Sequence, residues 1–216
     1  MSEDKQAAKL FPMFLKLAGR PCLVVGAGTI AEAKIASLME AGARVRVVAP
    51  KATPEVHSWA LYTKIEWEDR RFRPDDLEGM FLVVAATDST ELHRQIFEEA
   101  TRRGVLCNIV DVPELCDFYY PAVVQRGALQ IAISTAGHSP ALAQRLRKEL
   151  EEQFGPVYEV WLEHLGQARD EISATRLDPE ERKRRLHALA TDHAFESFRR
   201  TRKGMRSRKG QRSEKE

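Results

Sequence analysis

The chain alternates between two kinds of apolar pattern. Short unbroken runs, Cys22-Leu-Val-Val, 45–49, 81–86 and 105–110, stop at glycine or polar clusters, as strands buried on both faces do. A weaker run at 64–68 adds a further strand. Between them lie helical periods. Residues 29–41 read as a helix in which Ile30, Ala33, Lys34, Ser37 and Leu38 set the repeat and Gly42 supplies the stop. Residues 90–103 repeat the form with Leu92, Ile96, Phe97 and Ala100, ended by Gly104. The alternation predicts an α/β fold, a Rossmann-like doubly wound parallel sheet with right-handed crossovers.

The pattern changes after Asp111. Runs at 118–124 and 129–134, separated by Gln125-Arg-Gly-Ala, predict an antiparallel hairpin. Ser139-Pro140 opens a helix as N-cap and first helical position, and Gly155-Pro156 breaks it. Residues 157–200 read as two or three charged amphipathic helices, with Leu177-Asp-Pro-Glu-Glu starting a new one. The expected organisation is therefore a nucleotide-binding domain over 1–112, a small α+β segment of hairpin plus helix over 113–153, a helical C-terminal domain over 154–200, and a basic, disordered tail over 201–216.

Charge adds one distinction. Residues 199–216 hold nine Lys or Arg against two Glu, which leaves −5 for the rest of a chain whose net charge is +2. A tail of this kind is a solvated terminus or a weak anion contact, and it has no aromatic after Phe198 on which bases could stack, so nucleic acid is not an expected partner. Cys22, Cys107 and Cys116 have neither disulfide-framework nor zinc spacing, which points to a reducing cytoplasm, and no metal site is expected. The polar start, Met1 to Lys5, and the shortness of every apolar run argue against a signal peptide or a membrane span.

Chemistry concentrates where strands end. Gly26-Ala-Gly28-Thr29-Ile30-Ala31 follows a strand and opens a helix. Gly26 allows the tight turn, Gly28 lets backbone approach a pyrophosphate, Ala31 lets helix and strand pack closely, and the helix start offers free amides to phosphates. A tight structural turn is the competing reading. The acidic residue usual at the tip of the second strand is missing. Pro50-Lys51 stands there, and Lys51 could attract a 2′-phosphate, so NAD and NADP stay open at this position. Ala86-Thr87-Asp88 follows the fourth strand where a cofactor would cross the sheet, though Asp88 or Ser89 could equally cap a helix.

Asp111, in Asn108-Ile-Val-Asp-Val-Pro, ends the fifth strand and is aimed at the cleft. A carboxylate there can take a proton as a hydride leaves a substrate, while Asp-x-Pro also serves as a plain turn. Ser134, Thr135 and His138 combine hydroxyls and an imidazole before a helix, suited to substrate carboxylates or to capping alone. Arg126, Arg145, Arg147 and Lys148 offer charge for a polyanionic ligand, or form an ordinary charged face.

Taken together, Phe11-Pro-Met-Phe-Leu-Lys-Leu, Leu23-Val-Val-Gly-Ala-Gly-Thr-Ile-Ala, Val45-Arg-Val-Val-Ala-Pro, Asn108-Ile-Val-Asp-Val-Pro-Glu-Leu-Cys-Asp-Phe, Pro121-Ala-Val-Val and Ile133-Ser-Thr-Ala-Gly-His-Ser-Pro-Ala-Leu-Ala resemble, in order and spacing, the precorrin-2 dehydrogenase family, also found as the front part of multifunctional sirohaem synthases. The resemblance implies NAD-dependent oxidation of precorrin-2 to sirohydrochlorin, and a homodimer built through the segment after Asp111. In some members it also implies ferrous-iron insertion. It carries the catalytic aspartate onto Asp111 and the nucleotide loop onto Gly26, Gly28 and Ala31. Thr135 stands where the family has a serine, Ala33 where many relatives have arginine, and Ala27 where many have glycine. A bifunctional dehydrogenase and ferrochelatase, and an NAD(H)-sensing module without chemistry, are the competing readings.

Overall fold

The computed structural model describes residues 9–213, with side chains described through Arg202. Its buried runs become strands β1 (Pro21–Val25), β2 (Arg44–Val48), β3 (Glu66–Glu68), β4 (Leu82–Ala85) and β5 (Leu106–Ile109), all parallel in the order 3-2-1-4-5. The lack of polar alternation has a direct cause. In β1, Cys22 and Val24 pack on one face of the sheet with helices α1 (Thr29–Glu40) and α2 (Pro54–Leu61), while Leu23 and Val25 pack on the other with α3 (Thr90–Arg103). Leu23, Ile35 and Ile96 are fully buried, and each such side chain contributes about 2 kcal/mol of hydrophobic stabilisation. β1 pairs with β2 on one side and β4 on the other. The chain therefore reverses its direction of winding between those neighbours, and this switch point is where open α/β sheets bind ligands.

Several expectations need correction. The crossover from β2 to β3 is helical, and α2 went unread although Thr53 accepts a bond from Val56 N and Pro54 opens the helix. The inward face of α1 is Ala31, Ile35 and Leu38, an i, i+4, i+7 stripe, whereas Ile30 is 57% exposed and Ala33 and Ser37 face solvent. The tight approach after Gly26 puts Ala31 against the sheet and rotates the face assigned from sequence. The segment after β5 does not start the hairpin. Cys116 bridges back to Asn108, Asp117 N donates to Cys107 O at 2.8 Å, and Cys107 N donates to the Asp117 carboxylate at 2.8 Å.

That return holds the chain to the sheet through Tyr120, so the first compact unit ends there and the second begins at Pro121, later than the expected boundary at 112. In the second unit, β6 (Ala122–Arg126) and β7 (Leu129–Ile133) form an antiparallel pair. Gly127, at φ +57°, takes the first position of the two-residue turn, where hairpins require positive φ. Helices α4 (Pro140–Gln153), α5 (Val157–Ser173), α6 (Pro179–Leu189) and α7 (Asp192–Ser213) follow. Tyr158 and Trp161 of α5 lie 4.5 and 4.6 Å from the Phe195 ring of α7. α7 runs on through Ser213, so helix is described where an irregular tail was expected. Residues 214–216 of that tail lie outside the described residues. Among the described residues no helix is long and apolar enough to cross a membrane.

Candidate functional site

The carboxyl ends of β1, β2, β4 and β5 deliver the glycine loop, Pro50, Ala86 to Asp88 and Asp111 to one edge of the sheet. Gly26 sits at φ +104°, and a Cβ there would stand 2.2 Å from Ala86 O, a backbone atom that cannot move aside. The residue must be glycine for β1 and β4 to release their chains side by side. Gly28 differs. A Cβ on it would meet nothing within 4 Å, because the space before α1 is open. Gly28 is the N-cap of α1 and no side chain caps that helix, so the first-turn amides of Thr29, Ile30 and Ala31 have no intrahelical acceptor. Gly28, Thr29 and Ile30 are exposed. Open amides at a helix start, with the positive end of its dipole, are suited to a pyrophosphate.

The neighbouring loops are fixed. Thr53 N donates to Ala27 O at 3.0 Å and Gly26 N to Val48 O at 3.0 Å, while the Trp67 indole N–H reaches Ala49 O at 3.0 Å. Pro50 and Lys51 project at this tip, exposed. After β4, Ser89 takes the cap of α3 by accepting from Leu92 N, which leaves Asp88 exposed. Thr87 packs its methyl toward Gly26, and its Oγ1 is buried with no hydrogen-bond partner in the protein. An orphaned hydroxyl beside an open glycine loop is a group that a bound polar ligand can satisfy. The open helix start and the orphaned hydroxyl are features that fit the polar groups of a dinucleotide.

Sequence reasoning missed what holds the Thr87 loop. His93, 7% exposed on α3, makes a 2.7 Å bond through Nε2 to Thr87 O. Its spacing, four residues after the Ser89 cap on the inward side of α3, was the available signal.

Asp111 is exposed and occupies a turn closed by Val112 N donating to Ile109 O at 3.2 Å. Its φ of +62° is a left-handed conformation that aspartate tolerates better than most residues. The turn is tied down on its inner side. Cys116 Sγ donates toward Ile109 O and Val112 O at 3.1 and 3.3 Å, and buried Asn108 donates to Phe118 O at 2.7 Å. Burial pushes the Cys116 thiol up, with the Ile109 carbonyl contact opposing, and burial alone raises Cys22 to about 11. Burial is also the main reason Cys107 is raised to about 12, the nearby Asp117 adding to it. The thiols therefore stay protonated and act as packing groups and weak donors rather than nucleophiles.

The remaining sequence-predicted residues fall in the second unit. Ser134 Oγ accepts from Ala136 N at 3.1 Å, Thr135 Oγ1 accepts from Ser139 N at 3.2 Å, and His138 is exposed in the same loop. Arg126 donates through Nε to Phe154 O at 2.8 Å and through a terminal nitrogen to Glu151 O at 3.1 Å, closing the C-terminal end of α4. Arg145 and Arg147 pair with Glu149 and Glu151 along that helix.

Comparison with known proteins agrees with this geometry. The NAD(P)-binding family model matches residues 13–122, half of the chain, and a model described as sirohaem biosynthesis protein, central, matches 126–153. The siroheme synthase of Nitrosococcus oceani is 42% identical over 147 residues, covering 68% of this chain and 31% of that protein. That of Neisseria meningitidis serogroup C is 38% identical over 174 residues, covering 81% and 36%. The chain thus spans about a third of the length of the curated relatives it matches. The solved structure of SirC, precorrin-2 dehydrogenase, aligns with a TM-score of 0.77 at 26% identity, over 92% of this chain and 98% of that one. The glycine turn at the switch point, the uncapped start of α1 and these matches lead to one conclusion: the chain belongs to the NAD(P)-binding family, followed by the sirohaem-biosynthesis central segment.

Proposed function

We propose that this chain is an NAD-dependent precorrin-2 dehydrogenase, removing a hydride and a proton from precorrin-2 to give sirohydrochlorin. The observation that carries the reading is the pairing, on one sheet edge, of an open, uncapped helix start after Gly26 and Gly28 with a carboxylate held in a constrained turn at Asp111. The likeness to SirC over nearly the whole of both chains supports the same substrate.

The amides of Gly28 to Ala31 would hold the pyrophosphate, Thr87 and Asp88 would offer it further polar groups, and bound NAD⁺ would supply the hydride acceptor. Asp111 takes the proton. Its exposure lets a bulky substrate reach it, and the turn fixes the backbone that carries it. Ser134, Thr135 and His138 are the proposed contacts to the substrate's carboxylates. Arg126 steadies the helix that this loop opens. We assign a reducing cytoplasm as the compartment on the three free cysteines, and a homodimer built on the hairpin and α4 as the assembly, because Val123 and Leu142 on those elements are 38% exposed apolar side chains.

The test is anaerobic incubation of the full chain with precorrin-2 and NAD⁺, following sirohydrochlorin and NADH by absorbance. Asp111→Asn is expected to lower kcat by about 10² to 10⁴ with NAD⁺ affinity within twofold of wild type. Full turnover in that variant removes Asp111 from the mechanism.

A further inference from the structure

The loop that leaves β4 is gripped by the helix it leads into. Ser89 Oγ accepts from Leu92 N at 3.3 Å, and the next residue of α3, His93, reaches back to Thr87 O at 2.7 Å. A carbonyl oxygen only accepts, so the imidazole donates through an N–H on Nε2. His93 is a buried polar residue in a core otherwise built from Ile96 and Ala100 on the same helix. Its polarity is spent on one backbone atom.

Thr87 is fixed from several directions. Ala86 N donates to Val25 O at 2.9 Å and ties the preceding residue to β1. The Thr87 methyl carbon stands 3.3 Å from where a Cβ on Gly26 would be, so it packs over the bare glycine. The carbonyl is held by His93. With backbone and methyl both placed, the rotamer of a β-branched side chain is placed as well, and the hydroxyl has one direction left. That hydroxyl is the buried Oγ1 without a partner in the protein, beside the glycine turn where β1 and β4 release their chains. A polar group aimed before its ligand arrives costs less to engage than one ordered on arrival.

We propose that His93 is a positioning residue for nucleotide binding: by holding Thr87 O it aims the Thr87 hydroxyl at a polar oxygen of the bound dinucleotide. The inference rests on the reading of the glycine loop as the nucleotide site. His93 acts through Thr87, so its contribution exists only while the hydroxyl is there to be aimed.

The experiment is fluorescence titration of the full chain with NADH, with urea unfolding measured on every variant. Glutamine places its side-chain nitrogen near the position of a histidine Nε2, whereas asparagine places it near Nδ1. His93→Gln is expected to keep NADH affinity within about twofold, and His93→Asn and His93→Leu to lose about 5- to 10-fold, the worth of one hydrogen bond. Loss of stability alone does not decide the matter, because a purely structural histidine would show it too. The deciding readout is His93→Leu in a Thr87→Val background, where affinity is expected to fall by less than about twofold further. An equal loss with and without the Thr87 hydroxyl overturns the proposal, since His93 would then support the sheet edge in general. A folded His93→Gln that loses affinity about tenfold overturns it as well, because the donor is still present. Unchanged affinity in His93→Leu, in a chain whose wild type binds NADH, overturns this inference and leaves the nucleotide site standing. A wild-type chain that binds no NADH sinks both.

Discussion

Helices α1 and α4 each begin after a glycine-containing loop, and their first turns are built in opposite ways. α1 starts from Gly28 with no side-chain cap and with open space where a Cβ would go. α4 starts from Ser139, whose hydroxyl accepts from Leu142 N at 3.2 Å, and Pro140 then removes one N–H from the set. The loop before α4 consumes its own polar groups as well, since Ser134 and Thr135 oxygens accept from Ala136 N and Ser139 N. By composition the α4 loop looks the richer ligand site. By hydrogen-bond accounting the α1 loop is the one with donors left to give. A helix start whose cap position carries no hydroxyl says more about phosphate binding than one whose hydroxyls are spent on its own amides.

The largest break in that contrast is Gly26→Ala. The new methyl would meet Ala86 O at 2.2 Å in a backbone already at φ +104°, so β1 and β4 must separate. We expect a loss of about 3–5 kcal/mol in urea unfolding and NADH binding weakened at least about 100-fold by fluorescence titration. A folded variant with wild-type NADH affinity would show that the turn does not hold the nucleotide. Gly28→Ser sharpens the comparison by giving α1 the cap that α4 has. Stability should rise by a few tenths of a kcal/mol, while NADH binding falls by about tenfold as the hydroxyl takes the amides. Unchanged affinity in a stabilised variant would count against phosphate capture there. Ser139→Ala is the mildest, expected to cost about 1 kcal/mol by thermal melt and to leave NADH affinity untouched.

The sheet was legible because strands buried on both faces leave continuous apolar runs, and Gly26 to Ala31 was legible because strand, glycines and helix occur in immediate succession. What escaped was set by distant parts of the chain. The buried face of α1 depends on how Gly26 passes Ala86, a contact between residues sixty apart in sequence. Phe118 looked like the start of a strand, yet its carbonyl accepts from Asn108, and no local pattern announces a return to β5. Lys34 read as one more position in a helical repeat, because the Tyr120 ring that its ammonium faces meets it only in the folded chain. α2 is the exception, since Thr53-Pro54 is a local start signal that the pattern did contain.

The clasp beneath Asp111 has a further consequence. Cys116 grips both feet of the turn through Ile109 O and Val112 O, and Asp117 and Asn108 lace the returning strand to β5. The conformational entropy of shaping this turn's backbone is thus lost once, when the chain folds, and need not be lost again each time a ligand arrives.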